Sequence, residues 1–66
     1  MDNEPKIKLH DVESAARFLN VKVSQIRSLV FMRKISVVHI GRLVRFDERD
    51  LIDFIEQNKT KISDQY

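Results

Sequence analysis

Three observations predict an α+β fold, mainly helical, for these 66 residues. Two short stretches of helical period stand only a few residues apart in the first half of the chain. The period then changes to two on either side of Gly41, the only glycine. A third helical stretch begins at Asp47. The predicted order is helix, tight turn, helix, two-stranded antiparallel wing and C-terminal helix, which is a winged helix-turn-helix.

Each element has its own signal. Residues 1–8 (MDNEPKIK) are polar with one proline and read as a flexible N-terminal arm. Leu9 is the expected first core residue. Asp11 can cap a helix, and Val12, Ala15, Ala16 and Leu19 then recur at i, i+3, i+4 and i+7, one apolar stripe. The two alanines let a second helix approach closely. Asn20 ends the first helix, since Asn tolerates the left-handed conformation of a C-terminal stop. Ile26, Leu29 and Val30, with Val23 at the start, form the inward stripe of the second helix.

In ISVVHIGRLVRF, Val38 and Ile40 alternate with Val37 and His39, and Val44 and Phe46 alternate with Leu43 and Arg45. Gly41-Arg42, with glycine first, suits a two-residue hairpin turn, and a need for positive φ is the expected reason for the glycine. Asp47 and Asp50 have the spacing of a helix cap and its reciprocal partner. Leu51, Phe54 and Ile55 carry the core stripe of the third helix. The domain is expected over residues 9–58, with a flexible tail over 59–66. No internal repeat, low-complexity segment or second domain is present in the sequence.

Charge is sharply partitioned. Residues 17–46 carry Arg17, Lys22, Arg27, Arg33, Lys34, Arg42 and Arg45 and no acidic residue, a local charge of +7. Residues 1–16 sum to −2 and residues 47–66 to −3, which returns the net +2. A basic middle between acidic flanks is the pattern of a polyanion-binding face. No cysteine is available for disulfides or thiolate-bound zinc, so the small core must hold itself together or use a partner. No apolar run approaches the roughly 18 residues of a membrane span. No membrane association is expected, and the expected location is the cytoplasm, in company with the nucleoid.

The residues also carry a resemblance. The stretch DVESAARFLNVKVSQIRSLV, followed by KISVVHIGRLVRFDERDLIDFI, resembles the excisionase-type DNA-binding domains, relatives of the MerR winged-helix fold. The shared pattern is an acidic, alanine-containing first helix (Val12 to Leu19) and a polar second helix (Lys22 to Val30). The Lys34-Ile35 step, the strand Val38 to Arg42 ending Ile-Gly-Arg, the basic strand Val44 to Phe46 and a final helix opened by Asp50-Leu51 complete it. The similarity covers roughly residues 9–56. Three positions depart from it. Lys22 stands where Ser or Thr is usual. Arg33 stands where Gly is usual, and a left-handed arginine is strained, so another conformation is expected there. Phe31 and Met32 stand where polar residues are usual.

The resemblance implies that Lys22 to Ser28 enters a major groove of double-stranded DNA. Physical chemistry supports this independently. Gln25 can make two hydrogen bonds to an adenine edge and Arg27 two to a guanine edge, while Ser24 and Ser28 can bond phosphate or base or simply face solvent. Arg42 at the hairpin tip and Arg45 on the outward face can reach phosphate or a minor-groove edge. His39, also expected outward, either adds a hydrogen bond or has no role. Arg17 and Lys34 contact flanking phosphates or nothing. Phe31, Val37 and Leu43 are apolar at positions expected to face out. They are candidates for a contact between adjacent subunits on DNA or with a recombinase, although Phe31 could equally cap the core.

Catalysis is not expected. His10 and His39, the two histidines, lie on different elements, and no glycine-rich phosphate loop is present. No cofactor and no metal are expected. The resemblance implies an excisionase, or recombination directionality factor, of a phage or other mobile element, assisting an integrase. A small transcriptional regulator on the same fold and a protein-interaction module or inhibitor are the alternatives.

Overall fold

The computed structural model describes residues 7–60. The expected arm and tail therefore lie largely outside the described residues. The element order is β1 (Leu9–His10), α1 (Val12–Leu19), α2 (Val23–Phe31), β2 (Val38–Ile40), β3 (Leu43–Asp47) and α3 (Glu48–Gln57). The winged helix-turn-helix is as expected, except that the wing's sheet has three strands, in the order β1-β3-β2. β1 pairs antiparallel with β3, Leu9 opposite Asp47 and His10 opposite Phe46.

Local chemistry explains the helix boundaries. Asp11 caps α1 by accepting the Ser14 N–H at 2.8 Å. Asn20 ends α1 in the left-handed conformation, with φ 58°. The Asn20 and Val21 N–H groups then bond back to the carbonyls of Arg17 and Ala16, the paired bonds of a Schellman stop. α2 ends the same way. The Arg33 N–H reaches the Val30 carbonyl at 3.0 Å and the Lys34 N–H reaches the Leu29 carbonyl at 2.8 Å. That geometry needs a left-handed residue, and Arg33 takes it, with φ 57°. The expectation of another conformation is thus overturned: two backbone bonds outweigh the strain of a side chain there.

At α3, Asp47 Oδ1 accepts the Arg49 N–H at 2.9 Å, and its carboxylate pairs with the Arg49 guanidinium, Nη2 to Oδ2 at 2.6 Å. The partner of the cap is Arg49, not Asp50. The Arg49 side-chain hydrogen bonds hold the Asp47 carboxyl below its ordinary value, and the same contact raises Arg49.

The core is small: Ala15, Ala16, Ile26, Ile35, Phe46 and Leu51 are buried, ringed by half-buried Val12, Leu19, Val21, Val23, Leu29, Val30, Val37, Val44 and Phe54. Ala15 and Ala16 let α1 sit close against its neighbours, so α2 is held with one face buried and the other presented to solvent. Leu9 is 39% exposed and is not the first core residue; strand alternation turns His10 inward beside Phe46 instead. No helix among the described residues is long and apolar enough to cross a membrane.

Candidate nucleic-acid interface

α2 buries Ile26 and exposes Ser24, Gln25, Arg27 and Ser28, with Lys22 exposed at its N-cap. Helical geometry puts Ser24, Ser28 and Phe31 on one stripe opposite Ile26, with Arg27 beside it. Phe31 is 87% exposed, so it does not cap the core. Lysine offers no oxygen to cap the helix, and Gln25 compensates in part, because its Oε1 accepts the Lys22 N–H at 2.9 Å. The Gln25 amide is therefore engaged in the free protein.

Wing geometry follows from the turn. Ile40 pairs with Leu43, leaving Gly41-Arg42 as a two-residue loop, and Gly41 has φ 61°. Positive φ at the first loop position alone is the pattern of a type II′ turn. Arg42 is exposed at the tip. His39 lies opposite Val44 and Val38 opposite Arg45. Hence His39, Val44 and Phe46 share the core-side face, and Val38, Ile40, Leu43 and Arg45 share the reverse face.

Two expectations are corrected by that register. His39 is exposed but lies on the face opposite to Arg45, beyond the edge of the core. Val37 does not point outward; it falls opposite Phe46 and packs against the core. Leu43, 53% exposed, does face out, next to Ile40. Arg45 is half-buried, and its Nη1 donates to the Val44 carbonyl at 2.8 Å, so this guanidinium lies back along its own strand.

Between α2 and the wing runs a cleft of about 450 Å³ lined by Val30, Arg33, Lys34, Ile35, Ser36, Val37 and His39. Val30 also lines an apolar crevice with Val12, Ile26, Arg27, Val44 and Phe46. The two hollows have Val30 in common. Arg27 lines one and Arg33, Lys34 and His39 line the other, while Arg42 sits at the tip and Arg45 on the reverse face. Arg17 is exposed in the last turn of α1. Arg33 and Ser36 escaped sequence reasoning as site residues. Arg33 was visible only as one charge of the basic middle and as a departure at a turn, and Ser36 carries no signal.

Sequence reasoning also missed a buried network. His10, 6% exposed, has Nδ1 2.6 Å from Ser14 Oγ and Nε2 2.9 Å from Glu48 Oε1. A carboxylate only accepts, so Nε2 donates to Glu48, and the Ser14 hydroxyl, which can donate or accept, takes the second ring nitrogen. The ring also stacks at a tilt on Phe18, with centroids 5.2 Å apart. The network ties β1 to α1 and α3, and the Glu48 N–H to Lys8 carbonyl bond at 2.9 Å reinforces it. The clefts are lined by other residues, so it acts as a fastening. Among the described residues no group of three or more His, Cys, Asp or Glu could hold a metal.

The family pattern of the helix-turn-helix domain matches residues 11–59, from the cap of α1 to just past α3. No curated protein and no solved structure matches the chain. With the ordered helices, the exposed second helix and the basic wing already in place, the match over most of the sequence is decisive: the chain belongs to the helix-turn-helix domain family, of the excisionase and MerR-like type, and is a DNA-binding protein.

Proposed function

We propose that this protein is an excisionase, a recombination directionality factor that binds beside an attachment site of a mobile element and steers an integrase toward excision. The observation that carries the reading is the polar, basic surface of α2 next to a wing whose tip is Arg42, in a domain that brings no effector module within its matched residues. Arg27 and the two serines Ser24 and Ser28 read base edges, and Lys22, Arg42, Lys34 and Arg17 hold phosphates. Arg45 contributes once it leaves the Val44 carbonyl, and His39 contributes from the cleft. One monomer offers about four to six phosphate contacts, so specific occupancy calls for a second monomer or a partner protein. The exposed Phe31 and Leu43 suit such a contact; Val37, packed on the core, does not.

The test is an in vitro recombination reaction with the integrase of the same element. Added protein should raise excision and depress integration, and footprints should lie next to the attachment site. Promoter occupancy with no effect on recombination would instead make the protein a transcriptional regulator, a reading the same helix and wing support equally well in chemistry. A protein that retards no duplex at low salt and micromolar concentration would be an interaction module.

A further inference from the structure

We propose that Arg33, together with Lys34, Ser36 and His39, forms a seat for a backbone phosphate of duplex DNA at the C-terminal end of α2. The seat rests on the DNA-binding reading above and extends it to residues outside the recognition helix and the wing tip.

The first observation is a misfit between residue type and backbone. Three residues among those described have positive φ: Asn20, Gly41 and Arg33. Asn and Gly tolerate that conformation, whereas an arginine there carries the steric cost of its Cβ. The Schellman bonds from Arg33 and Lys34 to Val30 and Leu29 require a left-handed residue but make no use of a guanidinium. Among the described residues, the Arg33 side chain has neither a hydrogen bond nor an ion pair within the protein. A strained backbone that carries a long, untied cation directs attention to what lies outside.

The second observation is the chemistry of the cleft that Arg33 lines. The residues that line it bring one guanidinium, one ammonium, one hydroxyl and one imidazole, together with the apolar Val30, Ile35 and Val37. No carboxylate lines it. The acidic residues Asp50 and Asp53 line a different hollow, which shares Lys34, Ile35 and Ser36 with this one. The chain segment from Lys34 to Ser36 thus divides a cationic hollow from an acidic one, and an anion is directed to the first. Cation and hydroxyl donors around one opening match the tetrahedral oxygens of a phosphodiester.

Position supplies the source of that phosphate. The cleft continues the crevice that holds Arg27 beside the wing, with Val30 common to both. A duplex that lies on the exposed face of α2 passes its backbone along this line. The seat thereby extends the contact by one phosphate past the last turn of the helix.

The experiment uses the full chain, a random-sequence duplex and fluorescence anisotropy across a salt series, with thermal melting measured in parallel. Arg33→Gly and Arg33→Asn remove the cation but keep a residue that accepts positive φ; Arg33→Lys keeps the charge. The glycine and asparagine variants should melt at or above the wild-type temperature, yet bind DNA more weakly. Their log–log salt slope should fall by about 0.9, so that they lose roughly threefold to fourfold less affinity than wild type between about 50 and 200 mM salt. Arg33→Lys should keep the wild-type slope. Wild-type binding with an unchanged slope in Arg33→Gly and Arg33→Asn overturns the seat alone. A wild-type chain that shows no salt-dependent binding overturns the DNA-binding reading and the seat with it.

Discussion

The Ser14–His10–Glu48 network makes the fold's stability unusually dependent on one hydroxyl. Replacing Ser14 with alanine removes the 2.6 Å partner of His10 Nδ1 and leaves that nitrogen inside a side chain only 6% exposed. A buried polar atom without a partner costs about 1–3 kcal/mol, and the lower half of that range fits a ring whose other nitrogen stays bonded. For a domain of this size each kcal/mol moves the melting temperature by roughly 4–8 °C. A single small core supplies only about 3–5 kcal/mol in total, so the loss is a substantial fraction of it. Glu48→Gln keeps an acceptor for Nε2 but removes its charge, on a side chain 31% exposed to water, and should cost less.

Because both partners act through one imidazole, the double variant should depart from additivity by more than about 0.5 kcal/mol. Urea and thermal unfolding followed by circular dichroism measure all four corners of the cycle. A Ser14→Ala midpoint equal to wild type, or strict additivity in the double variant, would refute the claim that the ring is held from both sides.

Other consequences are directly measurable. Arg27→Ala should cost about 1–3 kcal/mol on a cognate site and much less on scrambled sequence, measured by competitive gel shift; equal losses would reassign Arg27 to phosphate. Arg42→Ala should weaken binding to every sequence and reduce the salt slope by about one, and an unchanged slope would take the hairpin tip out of the interface. Asp47 carries a pH signature. Its Arg49 hydrogen bonds hold the carboxyl below its ordinary value of 3.8 when folded, so the contribution is fully present above that value and is lost as pH falls through the lower folded one. Thermal melts of wild type and Asp47→Asn should accordingly differ by a constant amount at mild pH and converge only in acid below about pH 4. Convergence already above about pH 5 would assign the effect to another group.

What could be read in advance was what local chemistry decides. The stripe Val12, Ala15, Ala16, Leu19 and the stop at Asn20 are short-range signals, and α1 has those bounds. The Gly41-Arg42 turn is equally local. The strand phase of β2 was legible too, but only through the turn: counting back from Ile40 opposite Leu43 brings Val37 opposite the core residue Phe46. Reading hydropathy strand by strand instead puts Val37 and His39 on the wrong face. β1 had no local signal, because two residues make a strand only when Asp47 and Phe46 are already there to pair with them. For the same reason nothing near His10 in the sequence announced a partner, since Glu48 comes from the far end of the fold. At Arg33 the steric rule was sound and the conclusion from it was not, since it left out the two backbone bonds that hold the link. In the candidate site, residue types and exposure on α2 were accessible, whereas the cleft beside it exists only once α2 and the wing are both folded against α1.

Gln25 gives the second helix a divided allegiance. The amide oxygen that secures the first turn by taking the Lys22 N–H is one of the two atoms an adenine edge would claim. An amide oxygen has two lone pairs, so both hydrogens can be taken only where the adenine meets the side chain in the position the first turn already gives it. A base placed there would find the amide fixed in advance. One placed elsewhere would have to draw the side chain away and leave the peptide hydrogen of Lys22 to water or to the incoming polyanion. Discrimination at that position would then depend on where the base sits as well as on its donor pattern.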